Sequence, residues 1–226
     1  MYRIIKKLHS MGICKSILYI LHWCNEKYQE RRLGIDTAGF ISTTDLKLQS
    51  NDCSDYEPTS YAQLFRFYKA LKIDKNKDVL IDYGSGKGRA IIVGAMFPFK
   101  RVIGVELSQE LNDIAKRNFD IAKSRNLLKC DEAEIITADA FDYQPADDVT
   151  VIFLNNPFSD RLITSVITKL CESVTRNPRP LYFLYRFPEW KEDALKKDER
   201  LELVRELAGG YSDVGEMSRI YKLKGF

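Results

Sequence analysis

The sequence predicts an α/β fold: a doubly wound, mostly parallel seven-stranded sheet, with an antiparallel C-terminal hairpin and an N-terminal helical extension. Three observations predict it. From residue 78 onward, short apolar runs of strand type alternate with stretches of helical periodicity, and repeated strand–helix units make a parallel sheet covered on both faces. The last two strand-like runs are separated by a short connection, which forces antiparallel pairing. Ahead of the alternation, residues 2–31 repeat apolar positions at helical spacing.

In that first helix, Ile4, Ile5, Leu8 and Met11 recur with Arg3, Lys6 and Lys7 between them, and Gly34 supplies the stop. Residues 34–57 are rich in Asp, Ser, Thr and Asn and read as loop. Pro58 is a favourable first helical residue, so a helix is expected over Pro58–Lys72, with Leu64, Phe67, Tyr68 and Leu71 as its apolar stripe. Strands are then expected at Asp78–Tyr83, Arg101–Glu106, Ala133–Thr137, Val149–Leu154 and Leu181–Tyr185. Between them, Gly88–Met96 reads as a helix. Ser108 caps a longer one with Leu111, Ile114, Ala115, Ile121 and Ala122 facing inward, and Ser159 caps a third with Leu162, Ile163, Val166, Ile167, Leu170 and Val174 on one side. A short helix near Glu189–Lys196 precedes two strands, Leu201–Leu207 and Ser218–Leu223, which flank the turn at Gly209-Gly210. The chain divides into residues 1–57, a helix and a lid or linker, and residues 58–226, the α/β domain.

Composition narrows the function. The chain of 226 residues is 45% hydrophobic and 30% charged, ordinary for a globular protein. Its net charge of +3 is uneven: residues 1–33 hold seven Lys/Arg against two Glu, leaving the remainder at about −2. That argues against nucleic acid as the partner of the α/β domain. The cysteines, Cys14, Cys24, Cys53, Cys130 and Cys171, are scattered without a C-x-x-C pair, so neither a disulfide framework nor a zinc site is expected, and a cytoplasmic location fits. His9 and His22 both lie in the N-terminal segment, which removes a Ser-His-Asp hydrolase and a histidine metal site from the core; no metal is expected. No cleavable signal peptide is expected, and the apolar run Ile17–Leu21 is too short to cross a bilayer. The basic amphipathic first helix suits packing on its own domain. It also leaves open a peripheral contact with a membrane or a partner.

The informative stretch is IDYGSGKGRA, Ile81 to Ala90. A P-loop would need G-x-x-x-x-G-K-[ST], but Ile81 stands where its first glycine belongs and Gly88 where its hydroxyl belongs. A dinucleotide turn would need G-x-G-x-x-G. Gly84 and Gly86 fit it, but Arg89 occupies the third position. The form present is G-x-G-x-G after an acid, Asp82 to Gly88, and it resembles motif I of class I S-adenosylmethionine (SAM) dependent methyltransferases. Further acids follow at later strand ends: Glu106, 22 residues after Gly84, and Asp139 after the third strand. Ligand sites of open α/β sheets lie at the carboxyl ends of the strands, and these residues fall there in order.

The resemblance implies a Rossmann-like methyltransferase with SAM as cofactor. It implies that Asp82 helps hold the α-amino group, that Gly84 and Gly86 let the backbone approach the methionine and ribose parts, that Glu106 accepts from the ribose hydroxyls and that Asp139 and Ala140 meet the adenine, with Ser85, Leu107, Thr59 and Asn155 completing the cofactor contacts. The chain is similar, more narrowly, to the seven-strand (non-SET) histone-lysine methyltransferase family and to the related family that methylates lysine in mitochondrial ATP-synthase subunit c. That likeness rests on Tyr56-Glu57-Pro58-Thr59, the D-x-G-S-G-x-G-R run from Asp82 to Arg89, the Asn155-Asn156-Pro157-Phe158 turn and Tyr185–Trp190, and it covers residues 56–190. It implies a protein lysine as methyl acceptor, with Asn155, Tyr56 and Phe158 as the catalytic set and Pro157 beside them in the acceptor channel. A small-molecule or nucleic-acid-base methyltransferase, or a SAM-binding adaptor without catalysis, are the alternative readings. Lys87 and Arg89 are expected to cap or solvate the following helix and carry no chemistry.

Overall fold

In the computed structural model, residues 13–46, 55–130, 132–155, 159–189, 193–207 and 216–225 are described. Seven strands form one sheet: β1 (Val79–Tyr83), β2 (Arg101–Glu106), β3 (Ala133–Thr137), β4 (Val151–Asn155), β5 (Tyr182–Pro188), β6 (Leu201–Glu206) and β7 (Glu216–Leu223), in the order β3-β2-β1-β4-β5-β7-β6. The pairs among β1 to β5 are parallel, and β7 pairs antiparallel with both β5 and β6. The expected doubly wound sheet with antiparallel C-terminal strands is therefore present, with β7 inserted between β5 and β6. The turn expected at Gly209-Gly210 lies outside the described residues.

Alternation along β1 sends successive side chains to opposite faces. Val79, Ile81 and Tyr83 join a core with Leu162, Ile163, Val166 and Leu170 of α5 (Asp160–Arg176). Leu80 joins the other core, with α2 (Tyr61–Lys69) and α3 (Arg89–Ala95). Ser60, Ser108 and Ser159 accept backbone N–H bonds at the starts of α2, α4 (Gln109–Ser124) and α5, which satisfies donors that a helix cannot pair internally. A 3₁₀ turn at Leu195–Lys197 stands where the short helix was expected.

One expected face is corrected. On α4, Ile121 is exposed, while Phe119, Asn112 and Asn118 are buried. Asn118 is satisfied inside at both ends of its amide, and Asn112 is paired through its Nδ2, its Oδ1 having no partner among the described residues. Asn112 donates to the Glu106 carbonyl (3.2 Å) and to Thr137 Oγ1 (2.7 Å), and Asn118 donates to the carbonyls of Asp36 and Lys87, each at 3.1 Å. Burial of polar groups is tolerated when they are hydrogen-bonded in this way, and a purely apolar pattern does not register it.

The first helix is described as α1, Ile13–Leu33; its expected start at residues 2–12 lies outside the described residues. Gly34 ends it with φ 72°, and Arg125 donates to the exposed end carbonyls of Arg31 (2.8 Å) and Arg32 (2.9 Å). Ile17, Leu18, Ile20, Leu21 and Trp23 are exposed on it. No described helix is long and apolar enough to cross a membrane.

Packing between β1 and α3 is tight enough to test. A Cβ on Gly94 would run into Leu80 Cδ2. Leu80→Ala should cost about 2–5 kcal/mol of stability, and Gly94→Ala alone should destabilise by overpacking. The double variant should be more stable than the sum of the two by on the order of 1 kcal/mol, because the new methyl enters the space Leu80 leaves. Urea titrations of the four proteins measure this coupling.

Candidate functional site

The strand order reverses between β1 and β4, and open α/β sheets place ligands at such a switch point. A cleft of about 1190 Å³, measured out to its open mouth, lies there. It is built from the carboxyl ends of β1, β2, β4 and β5 and from residues 55–59.

The turn after β1 needs its glycines for backbone reasons. Gly84, Gly86 and Gly88 have φ of 75°, 52° and 85°, a region L-residues rarely adopt. A Cβ on Gly86 would collide with the ring of Tyr56, so at this position the close approach is made by the protein's own tyrosine. The turn is tied to β2 by the N–H groups of Gly84 and Ser85, both donating to the Val105 carbonyl (2.8 and 3.2 Å). Glu106 then takes the Gly86 N–H on one oxygen and the Ser108 N–H on the other, each at 2.9 Å. A carboxylate offers about four acceptor sites, so both oxygens retain capacity for hydroxyl donors from a ligand.

Asp82 is 3% exposed and accepts no side-chain hydrogen bond among the described residues. Burial drives its carboxyl well above the usual range, and the charge of Glu106 adds to the shift. Glu106 is also raised by burial, opposed by the backbone donors of Ser108, Gly86 and Leu107. Two buried acids side by side, one without a donor, suit a cationic ligand.

Asp139 is exposed at the rim. One of its oxygens accepts the Phe141 N–H at 2.8 Å in a local turn, and the residue lines the cleft. Ala140, Leu107, Val105 and Leu111 supply apolar lining beside it. Thr59 and Ser85 line the cleft, and their hydroxyls are buried with no partner among the described residues. At the far side, Asn155 Nδ2 donates to the Glu57 carbonyl (3.1 Å), and its Oδ1 accepts from Arg186 Nη1 (2.9 Å). Arg186 lies 3.8 Å from Glu216. Both ends of the Asn155 amide are thus committed, so its side chain acts here as a brace between residue 57 and β5.

The sequence-predicted residues Tyr56, Thr59, Asp82, Gly84, Ser85, Glu106, Leu107, Asp139, Ala140 and Asn155 line this cleft. Gly86 is bonded to its Glu106 edge. Phe158, with Asn156, Pro157 and Trp190, lies outside the described residues. No cluster of metal ligands is present among the described residues.

The expectation for Lys87 and Arg89 is overturned. Both are buried, at 8% and 5% exposure. Lys87 Nζ donates to the Ala38 carbonyl (2.9 Å) and lies 5.5 Å from the centre of the Tyr56 ring. Arg89 lines the cleft and pairs with Glu26 (2.6 Å) and Glu30 (3.0 Å) of α1. A helix-start arginine would be solvated if no acid reached it; here two acids from a distant helix do. Glu26 and Glu30 are the sole acids of residues 1–33 and sit four apart. That spacing puts them on one helical face and was the available signal. Arg186 and Glu216 were also missed as site residues; Arg186 falls within the Tyr185–Trp190 stretch that carries the likeness, and nothing in its local sequence marks Glu216.

These features fit SAM. The cofactor carries an ammonium and a sulfonium, two ribose hydroxyls and an adenine. The cleft offers buried carboxylates at the ends of β1 and β2, a rim carboxylate after β3 and apolar walls.

Comparison with known proteins agrees. A family model described as Histone methylation protein DOT1 matches residues 45–179. No curated protein matches. Among solved structures, the chain is similar to an RNA methyltransferase from Salinibacter ruber in complex with S-adenosyl-L-homocysteine, at 22% identity and TM-score 0.50, covering 75% of this chain and 95% of that one. It is similar to a tRNA methyltransferase of M. jannaschii at 13% identity and TM-score 0.53, over 75% of this chain and 52% of that one. It is also similar to a mitomycin 7-O-methyltransferase at 14% identity and TM-score 0.51, over 72% and 53%. These likenesses are of fold.

The unpaired acid gives a test. With its pKa raised in the fold, Asp82 contributes most to stability below its unfolded value of about 3.9, and that contribution is lost as pH rises through the raised folded value. Asp82→Asn should therefore show a higher urea midpoint than the wild type at pH 7, the gap closing as pH falls toward 4. The same variant should bind S-adenosylhomocysteine at least about tenfold more weakly by calorimetry, roughly 1.4 kcal/mol.

Proposed function

We infer, for a chain that belongs to the DOT1 histone methylation protein family and is a SAM-dependent methyltransferase, that the methyl acceptor is the side-chain amine of a protein lysine. The observation that carries this is the charge of the cleft. Its lining holds Asp55, Glu57, Asp82, Glu106, Asp139 and Glu216 against Arg89 and Arg186. Arg89 is already engaged by Glu26 and Glu30, and Arg186 by Asn155. Such a mouth attracts an ammonium group and repels a phosphate backbone, whose binding depends on uncommitted Lys and Arg.

The bound cofactor supplies an electrophilic methyl group on sulfur and departs as a neutral thioether. The residues of this chain do the positioning. Asp55, Glu57 and Asp139 at the rim raise the local concentration of a cationic side chain. An amine attacks only after losing its proton, and the apolar walls formed by Pro58, Phe153 and Leu162 favour the neutral form by desolvation. Asn155, braced by Glu57 and Arg186, holds the β4 end against residue 57, so the amine meets the methyl carbon along a fixed line. Tyr56 and Thr59 close the cofactor side. We take residues 58–226 as the methyltransferase domain and residues 1–57 as its helix and lid.

Labelled methyl transfer from SAM to lysate proteins, followed by mass spectrometry, should place the label on lysine. Label on RNA or small metabolites alone would exclude the lysine reading. On the peptide so identified, Asn155→Ala should bind S-adenosylhomocysteine as the wild type does and lose about 10²-fold or more in kcat. Charge reversal at the rim, Glu57→Lys, should raise KM for a basic peptide and flatten the dependence of kcat/KM on salt.

A further inference from the structure

Arg89 opens α3 directly after the glycine turn, and three separate segments converge on its guanidinium. Nε donates to Thr37 Oγ1 (2.7 Å), Nη1 to Glu26 Oε2 (2.6 Å) and to the Thr59 carbonyl (3.1 Å), and Nη2 to Glu30 Oε1 (3.0 Å). Its flat face lies 4.3 Å from the centre of the Tyr61 ring. The two acids are completed by the same segments. Glu30 accepts the Thr37 N–H (2.9 Å) and hydroxyl (2.5 Å) and the Tyr61 hydroxyl (2.8 Å), and Glu26 accepts the Tyr61 N–H (2.9 Å). Thr37 in turn offers its carbonyl to the Tyr56 hydroxyl (2.6 Å), and the Tyr56 ring occupies the face of Gly86.

We propose that Arg89 is a positioning residue for the cofactor: its buried cluster with Glu26 and Glu30 fastens α1 to the glycine turn and thereby sets Tyr56 and Thr59 over the bound SAM. The first helix is then part of the cofactor site and not an appendage to it. The chain of contacts is continuous. The acids of α1 hold Arg89 and Thr37, Thr37 holds the Tyr56 hydroxyl, and Arg89 holds the Thr59 carbonyl, whose own side-chain hydroxyl is buried at the cleft without a partner. A planar guanidinium fork fixes directions that an apolar contact leaves loose. Buried ion clusters are, besides, a poor way to gain stability alone, since apolar residues of like volume often hold a fold equally well. Their use here has a geometric rationale.

That last point separates positioning from mere support. In the variant Glu26→Met/Glu30→Met/Arg89→Met, all three charges are replaced by apolar side chains. Its melting temperature should match or exceed that of the wild type, while S-adenosylhomocysteine binds about tenfold or more weakly by calorimetry. Wild-type protein should also gain trypsin resistance at Arg31 and Arg32 when S-adenosylhomocysteine is added, and the triple variant should not. Arg89→Lys, which retains one charge but not the fork, should fall between the two in affinity. A folded triple variant that binds within twofold of wild type overturns the proposal. If the triple variant fails to fold, Glu26→Gln decides: its side chain is 17% exposed, and it should weaken binding about threefold at unchanged melting temperature, whereas unchanged affinity overturns the proposal. No methyl acceptor enters these measurements, so the lysine reading stands or falls separately.

Discussion

The site is organised around a deficit of positive charge at the ends of β1 and β2. Asp82 and Glu106 are both buried there, and burial of an ionised carboxyl is costly unless something cationic or donating meets it. Glu106 is met by backbone: the N–H groups of Gly86 and Ser108 hold its two oxygens, which also locks the glycine turn against β2. Asp82 has no such partner among the described residues. Arg89, which lines the same cleft, is engaged by Glu26 and Glu30. The fold thus keeps its local cation for the helix and leaves the acid at the strand end for a ligand that brings its own. A cofactor with an ammonium and a sulfonium satisfies that arrangement, and a phosphate-bearing one would aggravate it.

The same accounting explains which parts of the fold were legible beforehand. Strands β1, β2, β4 and β5 announced themselves because a buried parallel strand must read as a nearly continuous apolar run; β3, a partly exposed edge strand, was marked by its short apolar run alone. The caps at Ser108 and Ser159 were visible because capping is chemistry local to a few residues. What stayed hidden is long-range. Ile121 on α4 looked like core because helical spacing counts apolar residues, yet Asn112 and Asn118 outrank it by bonding across 25 to 82 residues of sequence. Arg89 looked like a solvated helix start because its partners lie 59 and 63 positions away. Arg186 was quoted only as part of a motif, and its grip on Asn155 arises from β4–β5 register, where residue 155 stands opposite residue 186.

Methyltransferases of this architecture include enzymes described as acting on RNA, on tRNA and on a small molecule, so the sheet and the glycine turn do not choose the acceptor. One segment over the cleft, residues 55–59, lines its mouth. In this chain that segment contributes Asp55 and Glu57 to the mouth and anchors Asn155 through the Glu57 carbonyl. It is itself held down by Tyr56 on Thr37 and, through Thr37, by α1. The proposed acceptor site and the cofactor site share one strip of backbone, residues 55–59, which brings Asp55, Glu57 and Thr59 to the cleft lining. A change in how firmly α1 holds that strip would alter both binding steps together. For an enzyme whose chemistry is mostly alignment, the clamp on the strip is as consequential as any residue that touches the reacting atoms.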